Sequence, residues 1–266
     1  MTILKHLSGV IFVAFVLSLA LDTTAQAIEE LKVYRGVLLI EGKIVPGDYD
    51  KFRNFLGNRS NFDKISNGVF LASPGGSIND AMRMGRLIRA LRLSTDAPSG
   101  SPTGSPKFGQ SVITPNNLVD QKTNYLCTSA CFLVYVGGAY RYPTWAGRLG
   151  VHRPVQLESN AKKLDVDQTL NLNWRIRQMV KNYLVEMDVP EKYVDLIYSV
   201  SPNELHLITQ NEFDSDLKGF SPKLKQLIGA KCGQGPMNQS DEAAQCWMRQ
   251  KKELSNEGWD KVFLGR

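Results

Sequence analysis

Residues 68–91, GVFLASPGGSINDAMRMGRLIRAL, leave few folds open. Val69 to Ala72 is a short apolar run of the kind buried on both faces of a parallel sheet. Ser73-Pro74-Gly75-Gly76 then breaks it with a tight turn. Ser77 followed three residues later by Asp80 has the form of a capping box, and Ile78, Ala81, Gly85 and Ile88 recur at helical spacing. A buried strand, a Gly-Gly turn and a helix predict one β-α unit of an α/β fold. Arg83, Arg86, Arg89 and Arg92 recur every three residues on that helix and read as its solvated face.

The same reading extends along the chain. LKVYRGVLLIEGKIV, from Leu31, predicts one or two strands, and Asp48 a helix start after the Pro46-Gly47 break. Residues 94–125 are loaded with Ser, Pro, Gly, Thr and Asn and read as a long irregular insertion, a lid or binding loop with at most a short strand. LCTSACFLVYVGG follows at 126–138: the run Phe132 to Val136 predicts a buried helix that starts near Ser129 and ends at Gly137-Gly138. RLGVHRP predicts a short strand ending at His152. Helices are predicted from Asp165 to Met187 and from Pro190 through Ile197, then a turn and a short extended piece in SPNELHLITQNEF. Residues 221–266 read as a tail with one polar helix. This order gives an α/β fold with a mainly parallel sheet and flanking helices, with Gly75-Gly76, Ser129 and His152 gathered on one rim.

The N-terminus sets the compartment. Lys5 precedes an apolar block from Leu7 to Leu21 and an Ala25-Gln26-Ala27 exit, the pattern of a signal peptide cleaved after Ala27. The expected mature protein, 28–220 plus the tail, is periplasmic or secreted and has no later segment apolar enough to span a bilayer. Cys127, Cys131, Cys232 and Cys246 then invite disulfides. Four cysteines allow three pairings, and neighbour pairing is the natural one. Residues four apart at a helix start have Cα atoms about 6 Å apart, within disulfide range. Paired thiols are inert, which argues against a cysteine nucleophile. The formal charge of +6 is spread out and has no aromatic-interleaved basic patch, so nucleic acid is not the expected partner. No metal-ligand spacing or phosphate-binding loop occurs, and no cofactor is expected.

Past the signal peptide only His152 and His206 remain. A serine hydrolase must draw its base from these two, with a third group to fix the imidazole tautomer and two amides to face the oxyanion. Ser129 at a helix start has suitable exposure. The Ala130 amide and a Gly-Gly amide supply donors.

FLASPGGSINDAMRMGRLIRAL, SACFLVYVGGAYR and LGVHRP, in that order, resemble the Clp-type peptidases of the Clp protease/crotonase superfamily over residues 33–220. That resemblance implies a ββα-superhelix fold and a homo-oligomer acting on peptide or protein substrates. It implies Ser129 as nucleophile, His152 as base, and the amides of Gly76 and Ala130 as oxyanion hole. The family's third residue is an aspartate before a short segment that SPNELHLIT matches here; the positions available are Asn203 and Glu204. The missing aspartate motivates the other reading, a non-catalytic binding protein on the same fold. His206 is expected to pack or lie at the surface.

Overall fold

The computed structural model describes residue 28 and residues 31–97, 126–142, 149–154, 165–233 and 241–266. The expected signal peptide, residues 1–27, and residues 98–125 of the expected insertion lie outside the described residues.

The chain opens with a hairpin of β1 (Lys32–Tyr34) and β2 (Val37–Glu41). Residues 35–36 make its turn, with Arg35 and Gly36 both at positive φ, as a two-residue hairpin requires. β3 (Gly68–Ala72) lies parallel to β2, β4 (Ser94–Asp96) parallel to β3, and β6 (Tyr140–Arg141) parallel to β4. β9 (Gly219–Phe220) closes the far edge antiparallel to β6. This six-stranded sheet is not the whole β structure: β5 (Cys127–Thr128), β7 (Leu149–Val151) and β8 (His206–Leu207) form a second sheet, parallel between β5 and β7 and antiparallel between β7 and β8. Two mixed sheets replace the single, mainly parallel sheet of a ββα-superhelix, and that expectation is corrected. Strands of two or three residues carry no readable period, so neither their partners nor their direction is visible in the chain.

β2 and β3 show period two clearly. Leu38, Ile40, Val69 and Leu71 enter the main core, while Val37, Leu39, Phe70 and Ala72 form a smaller cluster on the other face with Tyr34 against it. The main core is closed by α1 (Asp48–Gly57), α3 (Ile78–Ala90), α4 (Ala130–Val136), α5 (Val166–Glu186) and α6 (Lys192–Ser199); α2 (Arg59–Phe62) is a single turn after α1. α3 begins as its sequence predicts: Ser77 accepts the Asp80 N–H and donates its hydroxyl to the Asp80 carboxylate. Burial alone would raise that carboxyl's pKa. The Ser77 hydroxyl and the amides of Tyr49 and Gly47 outweigh it and hold the pKa low, which also pins α1 to α3. Gly85 is needed for close helix packing, because a Cβ there would lie 1.9 Å from the Tyr183 hydroxyl.

Of the arginines expected on a solvated face, Arg83 and Arg86 are exposed, whereas Arg89 and Arg92, just past the helix, are largely covered. Arg83 pairs with Asp50 and stacks over Tyr49, and Arg86 pairs with Glu186. Arg89 caps the C-terminal ends of α4 and α5, and Arg92 reaches the Leu254 carbonyl. A spacing of three gives the helix face but not what is packed beside it. Among the described residues the tail has two helices rather than one: α8 (Pro222–Cys232) and α9 (Asp241–Trp259), beyond the short α7 (Gln210–Glu212). α9 lies on the body, with the Trp259 indole N–H donating to Leu56 O and the Ser255 hydroxyl to Leu91 O.

At the end of β4 the Asp96 carboxyl is pushed up to about 7 by burial, opposed by the Ala97 N–H that it accepts. A carboxyl in an unfolded chain titrates near 4. The folded protein therefore holds this proton to higher pH. The stability it contributes is full below about 4 and is lost as pH rises to about 7. Urea unfolding across this range should show that decline, and Asp96→Asn should flatten it.

Candidate active site

Ser129 sits between β5 and α4 with φ 57° and ψ −124°. This is a strained conformation for a residue with a Cβ, and it costs on the order of 1–3 kcal/mol. Its side chain makes no capping hydrogen bond, so the hydroxyl is not the ordinary helix cap that a serine at this position suggests. A sharp strand-to-helix turn with a positive-φ serine is the arrangement that exposes a nucleophile at the top of a sheet. Nothing in the residue pattern announces the backbone strain. The clue is the density of constraint around Ser129, with a disulfide across it and Gly75 against it.

The surroundings are built from three segments. Ser73 N–H donates to Leu126 O and Thr128 N–H to Ser73 O, fastening the end of β3 to β5. The Ser73 hydroxyl then accepts the Gly75 N–H, setting the turn. A Cβ on Gly75 would lie 2.7 Å from the Ser129 Cβ and 2.8 Å from the Ala130 nitrogen, so only glycine lets the two backbones meet. Gly76, at φ 136°, bridges Ile44: Ile44 N–H donates to Gly75 O and Ser77 N–H to Ile44 O. The N–H of Gly76 itself takes no part in this bridge. The Ala130 N–H, at the first position of α4, is beyond the reach of any intrahelical acceptor. Among the described residues neither amide has a hydrogen-bond partner.

His152 follows β7, the neighbour of β5, and Ser129 N–H donates to Gly150 O at 2.9 Å. The two side chains thus leave adjacent strand ends, about 4.8 Å apart in a sheet. His152 Nδ1 lies 2.9 Å from the Arg153 carbonyl oxygen. A carbonyl only accepts, so Nδ1 carries the proton and Nε2 is left as the basic nitrogen. The Ser129 hydroxyl and the imidazole are not hydrogen-bonded to each other. Neither Asn203 nor Glu204 meets His152: both are exposed, and their amides turn back to Ser201. Among the described residues the histidine–carboxylate pair is instead His206 with Glu212, at 3.2 Å. Burial alone would raise the Glu212 pKa. The Thr209 amide and hydroxyl and His206 lower it, and this capping box fixes the start of α7.

Cys127 and Cys131 are disulfide-bonded across Ser129, with Cα atoms 5.2 Å apart, and Cys232 is bonded to Cys246 between α8 and α9. Four residues make a short loop, so the first bridge stabilises the fold by about 2 kcal/mol on loop-closure grounds. Replacing both Cys127 and Cys131 by alanine should cost about that much in urea unfolding. Any larger loss should appear in the reactivity of Ser129.

No protein-family model matches the chain, and no curated protein matches it. Among solved structures, one match is a mutant of the 1510-N membrane-bound stomatin-specific protease, with 13% identity, covering 68% of this chain and 76% of that one at a TM-score of 0.42. A likeness this remote carries no argument about function. It gives no support to membership of the Clp protease/crotonase superfamily, and with the two mixed sheets that identification is withdrawn. The Clp-like and crotonase descriptions fall with it, and the serine-protease and periplasmic descriptions and the expected homo-oligomer lose the support that the resemblance gave them. No described helix is long and apolar enough to cross a membrane.

Proposed function

We propose that the chain is a hydrolase that attacks acyl carbonyls of peptide substrates through Ser129. The strained serine at the start of α4 carries this reading, because strain of that size persists where the surrounding structure enforces it, commonly at reacting residues. In the proposed cycle His152 Nε2 takes the hydroxyl proton as Oγ bonds to the carbonyl carbon. The Gly76 and Ala130 amides hold the oxyanion, and the proton passes to the leaving nitrogen as the C–N bond breaks. Water, deprotonated by the same imidazole, then frees the acyl group and restores Ser129. The Arg153 carbonyl takes the orienting role, fixing the Nδ1–H tautomer without a carboxylate. Two disulfides favour an oxidising compartment outside the cytosol.

A second reading, a non-catalytic binding protein, is favoured by one observation: Ser129 and His152 share no hydrogen bond. Fluorophosphonate labelling separates the two. Stoichiometric labelling that is lost in Ser129→Ala and falls at least about a hundredfold in rate in His152→Ala supports the hydrolase. A folded, oxidised protein that takes no label is the binding protein.

A further inference from the structure

The first turns of α5 carry Val166, Leu170 and Trp174 at i, i+4 and i+8, a row that an amphipathic helix normally buries. Here they are 75%, 61% and 62% exposed. Trp174 forms one wall of a cleft of about 300 Å³, completed by Ile78, Ile176, Tyr198, Pro154 and Arg153. Its place in the chain ties it to the candidate active site. Arg153 and Pro154 directly follow His152, and Ile78 is two residues past Gly76. At about 3.8 Å between successive Cα atoms, the Cα atoms of Arg153, Pro154 and Ile78 lie within roughly 8 Å of those of His152 and Gly76.

Two polar features of the cleft lack partners. The Tyr198 hydroxyl is enclosed and has no hydrogen-bond partner among the described residues. Burial, partly offset by Arg177, pushes its pKa up to about 12, so it stays a neutral donor. The two arginines differ. Arg177 is paired with Asp195 at 2.7 Å and lies over the Tyr198 ring, whereas Arg153 is exposed and has no carboxylate partner among the described residues. Among the described residues the cleft therefore offers an aromatic wall, one unused donor and one unpaired cation.

We propose that this cleft is the substrate subsite beside Ser129, taking a large apolar or aromatic side chain whose neighbouring carboxylate pairs with Arg153. The assignment of the cleft to a substrate rests on the hydrolase reading; the selectivity of the cleft does not.

Calorimetric titration of Ser129→Ala, in which turnover is blocked, tests it with four ligands: acetyl-Ala-Ala-Phe as free acid, the same peptide as amide, acetyl-Ala-Ala-Ala as free acid, and acetyl-Ala-Glu-Phe amide. The phenylalanine acid should bind about tenfold more tightly than its amide. Adding Arg153→Gln should abolish that preference and Arg153→Lys should keep part of it. Arg153 is exposed, and its main-chain bond to Val200 is retained. Phenylalanine should be preferred over alanine, and Trp174→Ala should remove this preference. Tight binding of the Glu-Phe amide identifies an acidic side chain as the carboxylate source; weak binding of it identifies a chain terminus. Equal binding of acid and amide, or a preference that survives Arg153→Gln, overturns the proposal. Selective binding in a protein whose Ser129 takes no fluorophosphonate would instead overturn the hydrolase and leave the cleft as a ligand site.

Discussion

Ser129→Gly is expected to make the protein more stable and inactive at once. With φ 57° and ψ −124°, Ser129 stores strain on the order of 1–3 kcal/mol that glycine does not bear. Glycine also gives the unfolded chain more freedom, which costs roughly 0.5–1 kcal/mol, so the net gain is about 1 kcal/mol. Ser129→Ala is the control: it keeps the Cβ and hence the strain, and its stability should stay close to that of the parent. On the proposed hydrolase mechanism both changes should lower turnover roughly ten-thousandfold or more, as loss of a nucleophile does. The difference between glycine and alanine in urea unfolding isolates the backbone contribution from the hydroxyl. Were glycine the less stable of the two, the strain would not be stored at Ser129. The fold would then not be holding this serine against its preference.

How far such a site can be read from the chain depends on which interactions build it. The Ser77–Asp80 cap, the α4 run and the 165–187 helix are local, with side chain and backbone within four residues, and their signals are visible in sequence. The adjacency of Ser129 to His152 is half legible: both stand at the ends of short apolar runs, but that β5 and β7 are neighbours is decided by pairing across more than twenty residues. The tautomer of His152 was not legible at all, because an acceptor supplied by the next residue's carbonyl has no residue type. Asn203 and Glu204, the positions that the sequence offers for that role, are exposed and do not meet His152. Arg89 departs from its expected solvated place for the same reason. Arg89 looks like its neighbours in sequence and differs only in lying over the ends of α4 and α5.

Those helix ends lead to the second large effect, at Arg141. Its side chain is buried and donates to Val136 O at the end of α4, Met187 O at the end of α5 and Leu217 O, which ends a π-helical turn at 213–217. Burial, with Arg89 nearby, lowers its pKa to about 10, so it is still a cation at neutral pH. No carboxylate bonds it among the described residues. The charge is held by the negative ends of the helices, each equivalent to roughly half an elementary charge. Arg89 shares two of these carbonyls and also pairs with Asp188, so the two cations face each other across converging C-termini. Arg141→Met fills the volume but takes the arginine donor from Leu217 O and one of the two from Val136 O and Met187 O, at a cost of roughly 3 kcal/mol. A chain of this size should then melt about 10 °C lower. Arg141→Lys should recover less than half, since one ammonium lacks the planar fork that serves three diverging carbonyls. A thermal shift under 2 °C for Arg141→Met would mean that Arg89 alone suffices to hold these ends. The consequence reaches the site because α4 is only seven residues long, with Ser129 at one end and the arginine-held carbonyls at the other. A helix that short has little rigidity of its own, so the orientation of Ser129 depends on what fixes the far end, and fluorophosphonate labelling of Arg141→Met should slow even well below its melting temperature.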